Sequence, residues 1–578
     1  MSSANKSKFI DGYYIKEERI DKRGGRRLLN TYIKGILDDY KEAVSSEGNI
    51  QPLSDDYIKF IRFAHWKIDK AGEGVIGMIT NNSYLSGLIH RGMRKCLLES
   101  FNEIYILNLH GNSRLGEKSP DGSRDENVFD IMQGVSIAIF VKDKKKKGHG
   151  KVLYQDIYGL REDKFDFLAR NHTDSTEWTE LMPDEPHYFF VKKDFAERDK
   201  YDSFLSVTDV FDVFSEGVKT HRDHFVVGFT KNEIVNRLRL FNGNLQDEFV
   251  RDSLKLTDTR DWCLSEARRK VKNQRLEDEI RDYAYRPFDV RKICFESALI
   301  EFDRMDVMQH IVDRDNIGLN LTRRLRDPEW RHAFCTAAIT DKTILSSRDN
   351  CYFFPLYLYT QKEKRKKGSL GALLLFEPMA EYAVKRTNLS PALMNGLEKA
   401  FEKKPTPEEV FYYMYAVLYS GTYRAKYAEF LKIDFPRIPF TNDDTLFNTL
   451  AGLGKRLADL HLMKSAELDS PIAKFQGEGE DKVDKPRYDE NEQRVYINES
   501  VYFERVPSEV WEYKIGGYQV CEKWLKDRKG QKLDGEFKHY CRIITAIQRT
   551  IDVQKEIDEV YEEVERNTVL LKSLINQT

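Results

Sequence analysis

Three places in this sequence combine residue types that can grip a planar, polar ligand. In the stretch 125–142, DENVFDIMQGVSIAIFVK, a polar loop presents Phe129 just before a glycine and an alternating strand. An aromatic at a strand mouth suits stacking on an unpaired ring, and the same residue suits the core of a hairpin. Asn81-Asn82-Ser83-Tyr84 pairs amides with an aromatic. In a proline-stiffened Asn-Pro-Pro-Tyr turn, those groups accept hydrogen bonds from a base amino group and stack on the extruded base. Here both prolines are missing, so 81–84 reads as a strand end and a helix cap. His110 to Gly116, HGNSRLG, places a glycine turn after a strand, where phosphate-bearing cofactors often sit. Its spacing is not G-x-G, and no acidic residue closes a second strand.

Further along, polar clusters fit nucleic acid. Thr220, His221, Arg222 and Asp223 form one. Arg323, Arg324 and Arg326, followed by Trp330, Arg331 and His332, form a second. Lys523, Lys526, Arg528 and Lys529, behind Gly516-Gly517-Tyr518, form a third. Arginine hydrogen-bonds guanine with both prongs in the major groove, while lysine and backbone amides hold phosphate. Each arginine equally suits a surface salt bridge. The runs Lys142–Lys151, Arg323–Arg326 and Lys362–Lys367 read as solvated basic loops. Residues 352–359, YFFPLYLY, read as a core or edge strand because of their alternation and proline.

The elements that must position these residues follow from periodicity. Residues 55–70 predict a helix with Tyr57, Ile61, Ala64 and Ile68 on one face, stopped by Gly72 and Gly74. Residues 75–80, 103–109 and 135–142 predict buried strands, and 88–100 a second helix. Strands alternating with helices predict an α/β, mainly parallel, doubly wound sheet over residues 1–165. Residues 166–200 read as a connector and 201–540 as an α+β domain. The last segment, 541–578, predicts a long amphipathic helix with Ile544, Ile547, Ile551, Ile557, Val560, Val564, Leu571 and Leu574 along a seam. That seam fits a coiled-coil arm or packing onto its own domain. No internal repeat is present.

Composition narrows the class. A chain of 578 residues predicts about two to four domains. Its formal charge of −2 does not by itself favour a polyanionic partner, although large enzymes gather positive charge on one face. Seven cysteines, never spaced CxxC, argue against a zinc ribbon or a disulfide framework and fit a reducing cytoplasm. The start, MSSANKSKFIDGYY, has no apolar signal core, and no stretch approaches the ~18 apolar residues of a membrane span.

The ordered blocks DDYIKFIRFAHWKI, GVIGMITNNSYLSG, HRGMRK, FNEIYILNLHGNSR and ENVFDIMQGVSIAIFVK are similar to gamma-class adenine-N6 DNA methyltransferases. More narrowly, they resemble the single-polypeptide Type ISP restriction–modification enzymes. The resemblance continues through GVKTHRDHFVV (217–227), YRPFDVRKICF (285–295), RRLRDPEWRHAF (323–334), YFFPLYLY (352–359), YRAKYAEFLKIDFPRIPF (423–440) and IGGYQVCEKWLKDRKG (515–530), which look like the closing specificity domain.

The resemblance implies the second half of a Rossmann-like methyltransferase domain, a DNA-recognition domain, S-adenosylmethionine as cofactor and no metal. It implies double-stranded DNA as a partner, and an upstream nuclease, helicase or methyltransferase subunit as a second. Phe129 matches the aromatic that stacks on the extruded adenine. Tyr57 and Phe60 match one wall of the cofactor pocket, and Asn81 and Asn82 lie at the strand end near it. The family's acidic, glycine-rich cofactor loop and its Asn-Pro-Pro-Tyr turn have no counterpart here, nor do a Walker A motif or a nuclease Asp…Glu-x-Lys set. Two expectations follow: methyl transfer completed by a missing half, or a non-catalytic recognition fragment that docks onto a partner supplying that half.

Overall fold

The computed structural model describes residues 15–20, 26–31, 35–146, 148, 150–360 and 384–568. The basic run Lys362–Lys367 and the seam residues Leu571 and Leu574 lie outside them. The chain divides into two compact units, Met1–Asp194 and Phe195–Thr578.

In the first unit, strands β1 (Ile15–Ile20) and β2 (Arg26–Thr31) pair as a hairpin. The predicted helix forms as α1 (Asp56–Ala71), and Gly72 ends it in the left-handed region at φ 82°. Its buried stripe is Ile58, Ile61, Arg62 and His65 rather than the predicted face of Tyr57, Ile61, Ala64 and Ile68. Two polar residues can turn inward because partners meet them. The Arg62 guanidinium donates to the Ile36 carbonyl at 2.7 Å and to Asp39 at 2.5 Å, and Tyr40 Oη lies 2.9 Å from His65 Nδ1.

The strands form as β3 (Gly74–Asn81), β4 (Glu103–His110), β5 (Val135–Lys142), β6 (Lys151–Asp156) and β7 (Thr179–Leu181), in the sheet order β3-β5-β4-β6-β7. The expectation of a mainly parallel sheet is corrected. Only β4 and β6 are parallel neighbours; β3–β5, β4–β5 and β6–β7 are antiparallel. A parallel neighbour needs a crossover, usually a helix. Residues 111–134 provide none, so β5 returns antiparallel and slots between β3 and β4. Helix α2 (Arg91–Ser100) carries the chain from β3 to β4, so β3, β4 and β6 still share one direction and their carboxyl ends meet. Helix α3 (Arg161–Arg170) follows β6, and β7, within the predicted connector, belongs to this sheet.

β3 is an edge strand of this sheet. It has neither proline nor charge, and Val75 and Ile79 are exposed on one face of it. The strand itself thus lacks the proline and the charge that commonly protect a free edge.

The second unit is α+β. An antiparallel pair, β8 (Ile280–Arg286) and β9 (Asp289–Cys294), anchors one four-stranded sheet. Strands β10 (Gly318–Thr322), β11 (Ala333–Thr336) and β12 (Cys351–Pro355) make most of another, with Phe353 and Phe354 buried as 352–359 predicted. Helices α4 (Pro407–Tyr419), α5 (Asp444–His461), α6 (Val520–Lys526) and α7 (Phe537–Arg566) complete it. Helix α7 starts before residue 541 and buries Tyr540, Ile544, Ile547, Ile557 and Val564 in the unit's own core, so packing rather than a free arm accounts for its seam. Among the described residues no helix is long and apolar enough to cross a membrane.

Candidate nucleic-acid interface

Polar side chains gather at the shared carboxyl ends of β3, β4 and β6, the end of an α/β sheet where ligands usually bind. Asn82 donates through Nδ2 to Asn108 Oδ1 at 3.0 Å, and Asn108 donates to Tyr154 Oη at 3.0 Å. Asn81 accepts from the Ser83 N–H at 2.8 Å, an Asx turn just before a short helix whose cap residue, Asn82, makes no side-chain cap bond. A bulge after Asn108 turns His110 into the left-handed region at φ 51° and re-aims its ring. The ring stacks on Tyr158 at 3.8 Å and lies between two carboxylates: Nδ1 is 2.7 Å from Glu117 and Nε2 2.8 Å from Asp156.

Burial alone would lower the pKa of His110, but hydrogen bonds to Asp156 and Glu117 outweigh it and hold the ring above its ordinary value. Burial would raise Glu117 and Asp156, and the bonds to His110 hold both below theirs. A base whose pKa is raised by folding adds stability that is complete below about pH 6.5 and is lost as pH rises through the raised value. Carboxylates depressed by folding add stability that is complete above about pH 4.5 and is lost as pH falls. The triad therefore holds best between these limits. Hydrogen exchange of 110–120, corrected for intrinsic rate, should speed up as pH rises through the His110 titration. In His110→Gln it should be fast throughout.

Gly111, at φ 80°, lets the backbone pass Asn127, where a Cβ would lie 2.4 Å from Asn127 Cα. Asn127 then closes the neck of the next loop. Its Nδ2 donates to the Gly111 carbonyl at 3.0 Å and the Gln133 carbonyl at 2.6 Å, and its Oδ1 accepts from the Phe129 N–H at 2.9 Å. Arg161 braces the loop from outside, donating to the Asn127 and Phe129 carbonyls at 2.7 and 3.2 Å. The ring of Phe129 is exposed, not in a hairpin core. Below it, the fully buried Lys164 ammonium donates to the carbonyls of Leu109 and Glu126 and to Asp125, at 2.6–2.7 Å.

Tyr57 and Phe60 meet different surroundings. The ring of Tyr57 lies half-buried, 6.4 Å from that of Tyr84, while Phe60 is exposed. These residues alone do not fit S-adenosylmethionine.

In the second unit three of the residues expected to meet DNA, Thr220, Arg222 and Arg528, are buried. The Arg222 guanidinium lies 3.9 Å from the Trp262 ring centre and 3.2 Å from Glu301, and donates to the Thr220 carbonyl at 2.9 Å. Thr220 is buried beside it, donating to Asp223, which also accepts from Tyr285 at 3.1 Å. Only His221 of that turn faces outward, 2.9 Å from Glu301. Arg528 is buried too, 3.6 Å from the Trp524 ring centre and paired with Asp289 at 3.0 Å and Glu536 at 2.6 Å.

The remaining residues stay at the surface. Lys526 and Lys529 are exposed, while Lys523 is half-exposed and pairs with Asp527. Arg323 is exposed and pairs with Asp434 at 2.8 Å; Arg324 is half-exposed. Arg331 pairs with Glu329, next to buried Trp330 and His332. Asp349 holds Arg326 by Nε at 3.3 Å, yet the side chain is 68% exposed, and its terminal nitrogens have no partner among the described residues. Sequence reading missed two features of this cluster. Arg348 joins it by pairing with Asp327 at 3.3 Å. The Gly516-Gly517 turn also packs here, its N–H groups donating to the carbonyls of Arg331 and Leu345 at 2.7 and 2.8 Å. A Cβ on Gly516 would lie 2.0 Å from the Leu345 oxygen, so only glycine fits.

Comparison with known proteins decides what this second unit is. The family described as the Type ISP C-terminal specificity domain matches residues 209–557. The chain belongs to that family. Its fold is similar to solved structures of DNA complexes, two of them described as Type ISP enzymes. One is the ATP-dependent restriction–modification enzyme LlaBIII bound to DNA (TM-score 0.69, 23% identity, 92% of this chain and 36% of that one). Another is a nuclease-deletion mutant of LlaGI in complex with a DNA substrate mimic (0.67, 22%, 93% and 51%). A third is the DrdV–DNA complex (0.71, 21%, 94% and 56%). This chain thus spans between about a third and just over half of those chains. No curated protein matches it.

Proposed function

We propose that this chain recognises a short target in double-stranded DNA as the specificity part of a Type ISP restriction–modification system. The match of a specificity domain over residues 209–557 supports this most directly. Exposed cations suited to bases and phosphates add to it, Arg323, Arg326, Lys526 and Lys529, with half-exposed Arg331 and exposed His221 as further candidates. Arg326 is the strongest candidate for reading guanine, because one carboxylate fixes its stem and leaves its fork outward.

The exposed ring of Phe129 supports reading the first unit as the back part of an adenine-N6 methyltransferase, in which that ring stacks on an extruded base. Among the described residues, Tyr57 and Phe60 alone do not make a complete cofactor site. Methyl transfer from S-adenosylmethionine therefore belongs to an assembly in which another segment or subunit brings the cofactor loop and the Asn-Pro-Pro-Tyr turn. The β3 edge, which no strand pairs on its free side among the described residues, favours such docking.

The test is a titration of the full chain against duplex DNA. Binding should weaken on the order of a thousandfold between about 50 and 200 mM salt, and added S-adenosylmethionine should leave the curve unchanged. No binding at low salt contradicts recognition, and a cofactor-dependent shift contradicts the incomplete site.

A further inference from the structure

The Asn127-necked loop displays more than Phe129. Leu115, Phe129, Ile131 and Met132 are 38%, 44%, 46% and 56% exposed. Large apolar side chains on a solvent-facing tip cost solubility, and here the tip is rigidly built. Asn127 ties both ends of the loop, Arg161 braces its flank, and the Arg114 N–H reaches the Met132 carbonyl at 3.4 Å, joining the 111–126 loop to it. That neighbouring loop exposes Arg114, Lys118 and Arg124. The nearby acids are mostly engaged. Glu117 faces His110, Asp125 faces buried Lys164, Glu126 pairs with Arg124, and Asp130 at the tip pairs with Arg161 at 2.8 Å; Asp121 alone is exposed without a cationic partner among the described residues.

An apolar knuckle flanked by cations matches a ligand with stacked rings inside a polyanionic frame. Proteins that open duplex DNA insert such side chains between bases and hold the phosphates alongside. We propose that Leu115, Ile131 and Met132 form a wedge that enters duplex DNA where a base has left the stack, filling the gap while the loop cations contact the backbone. This rests on the reading of the chain as a DNA-recognition protein. It assigns the wedge to residues other than Phe129, whose ring is left to stack on the displaced base.

The probe is a pair of duplexes of one sequence, one fully paired and one with a single abasic site, titrated with the full chain. An abasic site removes part of the cost of opening a base step, so the wild-type chain should prefer the abasic duplex by about tenfold. Ile131→Ser/Met132→Ser should abolish that preference while its affinity for paired duplex and its melting temperature stay unchanged. Leu115→Ser should reduce it. A photo-crosslinking benzoylphenylalanine at position 132 should label DNA, and one at Met182, exposed elsewhere on the same unit, should not. A preference that survives the double substitution, or no crosslink from position 132, overturns the wedge while DNA recognition stands. A wild-type chain that binds neither duplex at low salt overturns both.

Discussion

Arg528→Ala should destabilise the second unit by about 3–5 kcal/mol, because it strips a buried carboxylate of one of its two cations. Asp289 is buried between Arg528 at 3.0 Å and Arg291 at 2.7 Å. Burial would raise its pKa, and the two guanidinium charges outweigh that and hold it below the ordinary carboxylate range. The arginines also sit in a ladder of rings. Arg528 lies over Trp524 and Phe229, Arg291 over Phe229 and Tyr285, and Arg286 over Tyr285 and Tyr518. This ladder ties helix α6 and the Tyr518 turn to β8 and β9. Lysine should rescue poorly, since an ammonium neither stacks flat nor reaches Asp289 and Glu536 together. The neighbouring Lys529→Ala is the contrast: exposed, it should change stability by less than about 0.5 kcal/mol. Urea unfolding followed by tryptophan fluorescence measures both. Equal small effects would show that Arg528 is not the buried counter-charge described.

Lys164→Met should have a comparable effect on the first unit, about 3–5 kcal/mol, for the same reason. Lys164 and Asp125 are both 0% exposed in their side chains and 2.7 Å apart. Asp125 also accepts from the N–H groups of Gly111 at 2.6 Å and Gly159 at 2.9 Å, so one carboxylate fastens three segments. Methionine keeps the stem's bulk and removes the charge. Two carbonyls, of Leu109 and Glu126, lose a donor at the same moment. Because those segments carry the neck of the Phe129 loop, protease cleavage within 111–134 should accelerate before the rest of the unit unfolds. In a double-mutant cycle, Asp125→Asn with Lys164→Met should cost clearly less than the sum of the single changes. Strict additivity would contradict a coupled pair.

The sequence was most legible where periodicity and punctuation agree. Strands 75–80, 103–109 and 135–142, and the helix ending at Gly72, appear within a residue or two of their predicted limits. Strand direction was less legible. The clue was present in the absence of a helical pattern from 111 to 134, but alternation of strand and helix elsewhere outweighed it. The inward face of α1 was misjudged because Arg62 and His65 are buried by partners at Ile36, Asp39 and Tyr40, in a segment with no clear pattern of its own.

The same limit explains the arginines. Nothing in RRLR or in KDRKG distinguishes Arg326, whose fork faces outward, from Arg528, which neutralises Asp289 some 239 residues away in sequence. Long-range ion pairs leave no local mark. His110 carried a signal that was passed over: a histidine closing a largely apolar strand, with acids at positions 117 and 156.

The most direct measurement is selection of duplex DNA by the full chain from a pool randomised over a short central window, followed by sequencing of the bound fraction. A specificity domain should enrich one short motif, and Arg326→Ala should relax it at a single position while leaving the other positions intact. A bound fraction as random as the input, at a salt concentration where the chain still binds, would contradict target recognition.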